Sequence, residues 1–352
     1  MTWQTFPIQR FAEYGTRWDE LQRQCADLPF LESAFIAPLL AEFGTGKEVL
    51  VADVHNGQWR CACILTPGRY GSWETFQPSQ LPLGAFLGPL QSQADAQWVR
   101  DLDGLIRVLP GLPVSIGLTQ LDSRFHPRPA DAPQRRAQDY IETAWVDVVG
   151  TFDAYWEQRG KNLKLNTRKQ RNKLQTDGVA AVLECFTQPK DVAQAMVDYG
   201  MLESAGWKAA NGTAVAPGNA QGRFYQKMLE NFCAQGRGRI YRYRFNEKVV
   251  SMDLCISSGP VSVVLKTAYD ESYKAVSPST LMRQDEFRAL FDEGVFKRIE
   301  FYGKVMEWHT RWTDTSRSIY HLTHYRLPLL LTLHRKLADW RGRRASTAAA
   351  AP

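Results

Sequence analysis

Along the first 125 residues, segments whose apolar positions have helical spacing are interspersed with segments typical of β-strands. Residues 17–26 and 33–43 carry apolar side chains at helical spacing and predict two helices. Residues 49–54 and 59–65 are rich in residues that favour strands, and the intervening Asn56-Gly57 is typical of a type I′ turn, so we expect a β-hairpin. An apolar stripe and a short apolar run predict one more helix and one more strand, at Trp98, Val99, Leu102, Leu105 and Ile106 and then at residues 113–118.

The pattern after residue 150 follows a similar order. Helical spacing of apolar residues predicts one helix near residues 192–206 and a second over residues 224–232. Turn residues then separate three segments of alternating pattern, which indicates an antiparallel meander over residues 241–245, 250–256 and 261–268. A helix, a strand and a last helix bent at Pro328 are predicted at residues 280–293, 298–301 and 318–340.

The repeated order predicts two copies of one fold. We therefore expect an α/β (α+β) protein made of tandem units, each a mixed, mainly antiparallel sheet flanked by helices. A Pro-rich polar stretch at residues 126–133 separates the halves. The predicted boundaries are an N-terminal unit at 1–125, a linker and connecting strand at 126–150, a C-terminal unit at 151–340 and a disordered Ala/Ser tail at 341–352.

Composition narrows the setting. The 352 residues carry a formal net charge of +6, which suits an anionic ligand or surface and is too small to indicate nucleic-acid binding. The six cysteines form no CxxC pair, which is typical of reduced thiols. Residues 1–13 lack the apolar core of a signal peptide, and the longest apolar run, residues 327–333, is too short to span a bilayer. We expect a cytoplasmic protein, with peripheral membrane attachment as an alternative.

Two local patterns suggest contacts with anions. Ser277-Pro278 fits a helix start, where free N–H groups and the helix dipole favour a phosphate, although a capped helix that binds nothing has the same sequence. Residues 159–173 hold seven Lys or Arg and no acid, which indicates either a solvated basic face or contact with an anionic surface. His321 and His324 lack further ligands around them, so no metal site is expected.

Three short motifs in order carry a family resemblance. They are Glu203-Ser204-Ala205-Gly206-Trp207-Lys208 with Gly212-Thr213-Ala214, the run from Val264 to Asp270, and Ser277-Pro278. Over residues 152–312 the chain resembles the CelD-like (cellulose-biosynthesis acetyltransferase-like) family of the GNAT superfamily, related to Fem aminoacyltransferases. The resemblance implies transfer of an acyl group from acetyl-coenzyme A, or a longer acyl-coenzyme A, to an amine or hydroxyl of a sugar or cell-envelope precursor.

The resemblance also implies roles for particular residues. The candidate catalytic residues are Glu203, Asp270 and Tyr302. Donor binding is expected at Lys266, Ser277, Pro278, Ser279 and Thr280, and acceptor binding at Trp207, Lys208, Tyr269, Glu307 and Trp308. Each has a structural alternative: Glu203 as a surface residue of a helix, Asp270 as a turn residue, and the aromatic residues as part of the core.

Two departures from the family pattern leave other functions open. The GNAT phosphate loop Arg/Gln-x-x-Gly-x-Gly/Ala is absent, and Ser279 stands where the family usually has glycine, which narrows the available backbone conformations. One alternative is a Fem-like transferase that uses aminoacyl-tRNA. The other is a non-catalytic GNAT-like scaffold in polysaccharide or envelope assembly.

Overall fold

A computed structural model describes residues 3–88, 102–204, 215–216 and 218–332. The chain folds into two compact units. The first unit comprises Met1–Ala26, Thr45–Ile141 and Arg317–Pro352, and the second comprises Asp27–Gly44 and Glu142–Ser316. The predicted boundaries follow chain order, whereas these units exchange segments, because a helix from the N-terminal half packs in the second unit and a C-terminal strand pairs in the first.

The first unit is built on a mixed sheet in the order β1-β2-β3-β4-β6-β13, in which β4 and β6 are parallel and the other neighbours antiparallel. The short β5 pairs with β3. The unit's core includes Leu105 and Tyr320, both fully buried. Its strands are β1 (Trp3–Pro7), β2 (Val49–His55), β3 (Gln58–Pro67), β4 (Ser72–Thr75), β5 (Phe86–Leu87), β6 (Ser115–Asp122) and β13 (Ser316–Tyr325), and its helices are α1 (Phe11–Cys25) and α3 (Leu102–Val108).

Local sequence predicted the hairpin of this unit. Strands β2 and β3 pair antiparallel, and the turn residues Asn56 and Gly57 have φ angles of 49° and 79°, as a type I′ turn requires. Strand β1 carried no recognised signal and was missed. The start of the predicted helix at Trp98 and Val99 lies outside the described residues, within which α3 begins at Leu102.

The predicted helix at residues 318–340 is wrong for residues 318–325, whereas residues 328–332 are helical and residues 333–340 lie outside the described residues. Ser316–Tyr325 is strand β13, which pairs antiparallel with β6 and buries Ile319, Tyr320 and Leu322. The apolar spacing there fits a helix, but β6 offers backbone partners that sequence spacing does not reveal. The two histidines have different partners: His321 Nδ1 accepts from the Gln120 N–H at 3.1 Å, and His324 Nε2 lies 2.8 Å from Asp103 Oδ1.

The second unit has a mixed sheet in the order β7-β12-β11-β10-β9-β8. Strands β11 and β12 are parallel and the other neighbours antiparallel. The strands are β7 (Arg135–Asp147, paired here through Trp145–Asp147), β8 (Ala181–Phe186), β9 (Gly238–Phe245), β10 (Lys248–Ser258), β11 (Val261–Tyr269) and β12 (Arg298–Glu300). The helices are α2 (Ser33–Phe43), α4 (Phe152–Glu157), α5 (Lys161–Thr176), α6 (Pro189–Ser204), α7 (Ala220–Ala234), α8 (Pro278–Glu293) and α9 (Glu307–Thr310).

Helices cover both faces of this sheet. Apolar residues of α4, α5 and α8 pack on one face, and α6 and α7 pack on the other. Strand β10 is consequently buried on both sides, so Ser251 and Asp253, which alternate with apolar residues, are fully buried rather than exposed. Among the described residues, no helix is long and apolar enough to cross a membrane.

The chain repeats one order of elements, which confirms the expected tandem arrangement. Each copy runs through a strand, two helices, three antiparallel strands, a helix and two final strands. The third strand of the meander and the strand after the helix are parallel in both copies, β4 with β6 and β11 with β12. Sheet pairing thus supports the duplication that element order predicted.

Candidate functional site

An opening in the sheet of the second unit is the starting point of the site. Strand β11 pairs with β12 only from Val261 to Val263, although β11 continues to Tyr269. Beyond Glu300 the chain turns toward β7, where the Phe301 N–H bonds to the carbonyl of Ala144. The edge of β11 beyond Val263 is therefore not paired with β12, and backbone polar groups on such an edge are available to a ligand.

A β-bulge lies at the same point of β11. Leu254 is opposite Lys266 and Cys255 is opposite Val264, so Leu265 is an extra residue in the ladder with β10. A bulge of this kind bends a strand and leaves one residue unpaired. The bulge and the parting of β11 from β12 together open the middle of the sheet.

Helix α8 begins beside this opening, as the Ser277-Pro278 pair predicted. Pro278 is its first residue, and the Ser277 side chain makes no capping hydrogen bond. Ser277 adopts a left-handed conformation, with φ 48° and ψ 61°, and its carbonyl accepts from the N–H groups of Thr280 and Leu281. Its hydroxyl instead accepts a 3.0 Å bond from Gln170 Nε2. A non-glycine residue held in this conformation stores strain, and such strain is concentrated at functional sites.

Two clefts meet at the N-terminus of α8. The first, of 410 Å³, follows the open end of β11 and is called here the strand-edge cleft. The second, of 590 Å³, lies between α5, α8 and α9 and is called the helix-side cleft. Both include Ser277, Thr280 and Arg311 in their walls, so they adjoin at the helix start. Both volumes lie in the range of small-molecule sites.

The structure brings many of the predicted site residues to these clefts. Tyr269, Ser277, Ser279, Thr280 and Trp308 line the strand-edge cleft. Glu307 lines the helix-side cleft, and Pro278 is the buried first residue of α8 between them. Trp207 and Lys208 lie outside the described residues.

Glu203 and Lys266 lie together on the α6 and α7 side of the sheet. Lys266 Nζ donates to Glu203 Oε1 over 3.0 Å, and the carboxylate is 1 % exposed. Glu203 also accepts from the Tyr199 hydroxyl at 3.3 Å and from the Val215 N–H at 2.7 Å. Neither residue is in the described lining of the two clefts. This geometry is that of a buried ion pair with further hydrogen bonds.

Asp270 and Tyr302 also take structural positions. Asp270 accepts from Ser272 N and Oγ at 2.9 and 2.6 Å and pairs with Lys248 at 2.8 Å. Burial acts to raise the pKa of Asp270, but the bonds from Lys248 and Ser272 outweigh it and hold the pKa below its ordinary value. Tyr302 is buried, with its ring 4.7 Å from that of Phe30.

The sequence interpretation missed a buried polar cluster beneath the strand-edge cleft. Arg283 lines the cleft but is only 4 % exposed, and its Nη2 donates to Asp253 Oδ2 at 2.9 Å and to Thr267 Oγ1 at 3.0 Å. The guanidinium lies 4.5 Å from the Trp308 ring centroid. Its buried Nε has no protein partner among the described residues. The available signal was one Asp in an apolar strand and one Arg in the helix packed against it.

Glu286 is a fully buried carboxyl group next to this cluster. Burial raises the pKa of Glu286 well above its ordinary value, and the neighbouring charge of Asp253 raises it further. Asp253 Oδ1 and Glu286 Oε2 are buried without donors among the described residues.

The described residues contain no group of three or more His, Cys, Asp or Glu arranged to hold a metal ion. The clefts offer hydrogen-bond donors from the first turn of α8, the open edge of β11 and the side chains of Arg283, Arg311 and the cleft hydroxyls. Such donors bind phosphates and oxygens that gain negative charge.

Comparison with known proteins agrees with this architecture. Residues 161–310 match the family described as "Acetyltransferase (GNAT) domain". The chain resembles the structure of FemX, with 7% identity, TM-score 0.56, and coverage of 90% of this chain and 98% of that one. It also resembles the C-terminal domain of a putative lysylphosphatidylglycerol synthetase from Agrobacterium fabrum. The identity is 12%, the TM-score is 0.54, and the match covers 92% of this chain and 95% of that one.

A third similar structure is a conserved protein of unknown function from Bacteroides thetaiotaomicron, with 9% identity, TM-score 0.55, and coverage of 92% and 99%. No curated protein sequence matches the chain. Identities this low establish the fold and nothing finer. Residues 161–310 are thus similar to the GNAT acetyltransferase domain, and the fold of the chain resembles that of FemX.

Proposed function

We propose that the second unit transfers an acyl group from acyl-coenzyme A, acetyl or longer, to an amine or hydroxyl of a sugar or cell-envelope precursor. The observation that carries the proposal is the strand-edge cleft, which joins the open edge of β11 to the N-terminus of α8. A thioester with a long, phosphate-bearing arm needs this combination. The phosphates bind the N–H groups at the helix start, and the acyl arm follows the strand edge.

The reaction is direct acyl transfer. The acceptor loses a proton, its nitrogen or oxygen forms a bond to the thioester carbonyl carbon, and the C–S bond breaks to release a thiolate that takes up a proton. Backbone N–H groups of β11 beyond Val263 stabilise the negative charge that grows on the carbonyl oxygen. Holding donor and acceptor in line lowers the entropic barrier.

Arg283 and Trp308 form the floor of the proposed donor site. The Arg283 Nε lacks a protein partner, so a donor oxygen at the floor of the cleft supplies the acceptor that this N–H needs. Trp308 lies against the guanidinium and holds its plane. The general base stays a prediction, because Glu203 and Asp270 each already bind a lysine. Tyr302 likewise stays a predicted proton donor to the thiolate.

Two other functions remain from the family resemblance. A Fem-like aminoacyl transferase would place an aminoacyl ester of tRNA in the same cleft, and the fold shared with FemX agrees with this alternative. A scaffold would bind without turnover. Cytoplasmic placement and a role in polysaccharide or envelope synthesis belong to the proposal, as does contact of the basic α5 with an anionic surface.

A thermal-shift titration tests donor binding. Coenzyme A, acetyl-coenzyme A and a long-chain acyl-coenzyme A should each raise the melting temperature if they bind the folded state. Ser279→Glu should abolish the shift, because a carboxylate in the first turn of α8 repels phosphate. Gln221→Glu is the matched control, since it places the same charge at the second position of α7. No shift with any donor at millimolar concentration contradicts the coenzyme-A proposal.

Turnover separates an enzyme from a scaffold. Free thiol released from acetyl-coenzyme A in the presence of amino sugars measures acyl transfer directly. Release that depends on the acceptor supports an enzyme. Donor binding without release for any acceptor of this class supports the scaffold instead.

A further inference from the structure

Three segments of the first unit meet at one edge of its sheet. They are residues 66–72 from the end of β3 to the start of β4, residues 107–114 from the end of α3 to β6, and residues 325–332 at the end of β13 and beyond. The Val114 N–H donates to the Gly71 carbonyl at 2.7 Å, and the Arg326 N–H donates to the Val114 carbonyl at 2.9 Å. A Cβ atom added to Gly71 would lie 2.6 Å from the Leu112 carbonyl oxygen. The three segments therefore form one continuous surface, called here the loop edge.

Four large apolar side chains are exposed at the loop edge. Tyr70 is 93 % exposed and Leu112 is 82 % exposed, whereas Leu327 and Leu329 are 56 % and 65 % exposed. Single exposed apolar residues scattered over a surface are normal, but here separate segments of the chain bring four of them together. A cluster of this kind marks an interaction surface.

Tyr70 is held in a costly backbone conformation. Its φ and ψ are 55° and 35°, in the left-handed region that a bulky residue rarely adopts. Because the side chain is almost wholly exposed, packing within the unit does not offset this cost. Strain of this kind is concentrated at functional sites. A tyrosine has an apolar ring and a polar hydroxyl, which suits the boundary between water and an apolar phase.

The charges of the loop edge have one sign. Its three segments contain Arg69, Arg107 and Arg326 and no Asp or Glu. All three arginines are exposed, and none forms a salt bridge with a residue that the structure describes. The sequence that continues from this edge, residues 333–344, adds five Lys or Arg against one Asp. Charged residues are depleted in the core of protein–protein interfaces, whereas Lys and Arg beside exposed aromatic and leucine side chains are typical of surfaces that bind anionic lipids.

We propose that the loop edge binds the surface of an anionic lipid bilayer. The side chains of Tyr70 and Leu112 enter the boundary between headgroups and acyl chains, and the arginines contact lipid phosphates. Arginine suits this place because its stem is apolar while its charged end reaches the headgroups. The surface belongs to the first unit and is distinct from the basic α5 of the second unit. The inference does not depend on the proposed acyl transfer.

Co-sedimentation of the full chain with lipid vesicles tests the inference. We expect binding to vesicles of phosphatidylcholine with an equal amount of phosphatidylglycerol, and little binding to vesicles of phosphatidylcholine alone. Arg69→Gln and Arg326→Gln should each weaken binding about fivefold, the effect of one basic residue at an anionic surface. Arg17→Gln, at an exposed position of α1, makes the same change in net charge and is the matched control.

Substitution of the apolar residues separates a surface role from a structural one. Tyr70→Asn removes the ring and introduces a residue that adopts the left-handed conformation more readily, so the melting temperature should stay the same or rise. Vesicle binding should fall by at least about fivefold, because the apolar ring is no longer buried in lipid. Leu112→Gln should have the same effect on binding. Val149→Gln is the control, since Val149 is 76 % exposed in the second unit.

Each result decides the inference. Binding that requires phosphatidylglycerol, and that the loop-edge variants weaken while Arg17→Gln and Val149→Gln keep it, supports the inference. No binding to anionic vesicles overturns it, and so does binding that all the loop-edge variants keep. Binding lost in Lys169→Gln of α5 alone would place the anionic contact on α5 and overturn it as well. If vesicles do not bind and Tyr70→Asn changes the oligomeric state in sedimentation velocity, the loop edge is a protein interface and the inference is wrong.

Discussion

Arg283 donates a 2.9 Å hydrogen bond to Asp253 in the interior of the second unit, where their side chains are 4 % and 0 % exposed. The pair joins α8 to the middle of β10 directly beneath the strand-edge cleft. A charge that loses its partner in such a place remains buried and unpaired. The same contact therefore stabilises the fold and sets the floor of the proposed donor site.

Removing one member of this pair should destabilise the protein strongly. Arg283→Met leaves the Asp253 carboxylate buried without its cation, and we expect a loss of about 3–5 kcal/mol in the free energy of unfolding, measured by urea denaturation. Arg288→Met is the control. It breaks an exposed pair with Asp153 on the same helix and should cost no more than about 1 kcal/mol. Equal losses in the two variants would contradict the structural role of Arg283.

Lys266 is expected to matter for stability more than for donor binding. Its partner Glu203 is 1 % exposed, so Lys266→Met should lower the free energy of unfolding by about 3–5 kcal/mol. The affinity for coenzyme A should stay within about twofold, because Lys266 is not in the described lining of either cleft. Denaturation and calorimetry measure the two effects. Lys248→Met, which breaks a pair whose lysine is more exposed, is the control. Lost affinity at unchanged stability would instead support the donor-binding role predicted from sequence.

The cost of substituting Ser277 should depend on how readily the new residue adopts a left-handed backbone conformation. Its φ of 48° disfavours branched side chains, so Ser277→Val should cost about 1–2 kcal/mol or more, together with the bond from Gln170. Ser277→Asn, a residue that adopts this conformation more readily, should cost less. Thermal unfolding measures the difference. If the two variants were equally stable, the left-handed conformation would not be the controlling factor.

Acid should destabilise the second unit through His309. Burial, with a further contribution from the charge of Arg283, lowers the pKa of His309 to about 4. The Met306 N–H donates to its Nδ1 at 2.9 Å, which requires that nitrogen to be unprotonated. As the pH falls, His309 is therefore protonated in the unfolded chain near the ordinary pKa of 6.5, but in the folded protein only near pH 4.

The expected result is a free energy of unfolding that falls as the pH drops through this window, by roughly 1–3 kcal/mol from His309. His309→Asn should remove that share of the pH dependence. His126, whose pKa burial also lowers to about 4, belongs to the first unit and should be unaffected by this substitution. The matched control is His55→Asn, the same substitution at an exposed position. Denaturation at several pH values measures the slope, and an unchanged slope in His309→Asn would contradict the prediction.

Elements with a complete local signal were predictable. The hairpin turn at Asn56-Gly57, the stripe of α7 and the proline at the start of α8 each specify conformation within a few residues. The order of elements was enough to predict duplication. The predicted roles of Ser277, Ser279 and Thr280 depend on one helix start, and the structure places all three residues in the lining of the strand-edge cleft.

The sequence did not reveal the conformation or role of residues whose partners lie in distant segments of the chain. Residues 318–325 have apolar spacing that suits a helix, and they form β13 because β6, nearly two hundred residues earlier, offers a backbone ladder. Glu203 and Asp270 looked like candidate bases because a charged residue in a motif carries no sign of its partner. The fold supplies Lys266 and Lys248, which turns both carboxylates into members of ion pairs.

By itself, the sequence determined the tandem α/β plan, the meander and the helix start at Pro278, since each rests on periodicity or turn chemistry between near neighbours. Only the tertiary structure decided that β11 parts from β12, that Arg283 and Asp253 meet beneath that opening, and that α5 lines a cleft beside α8. These features arise from contacts between segments far apart in the chain, and burial there reverses what a charged residue suggests when read alone.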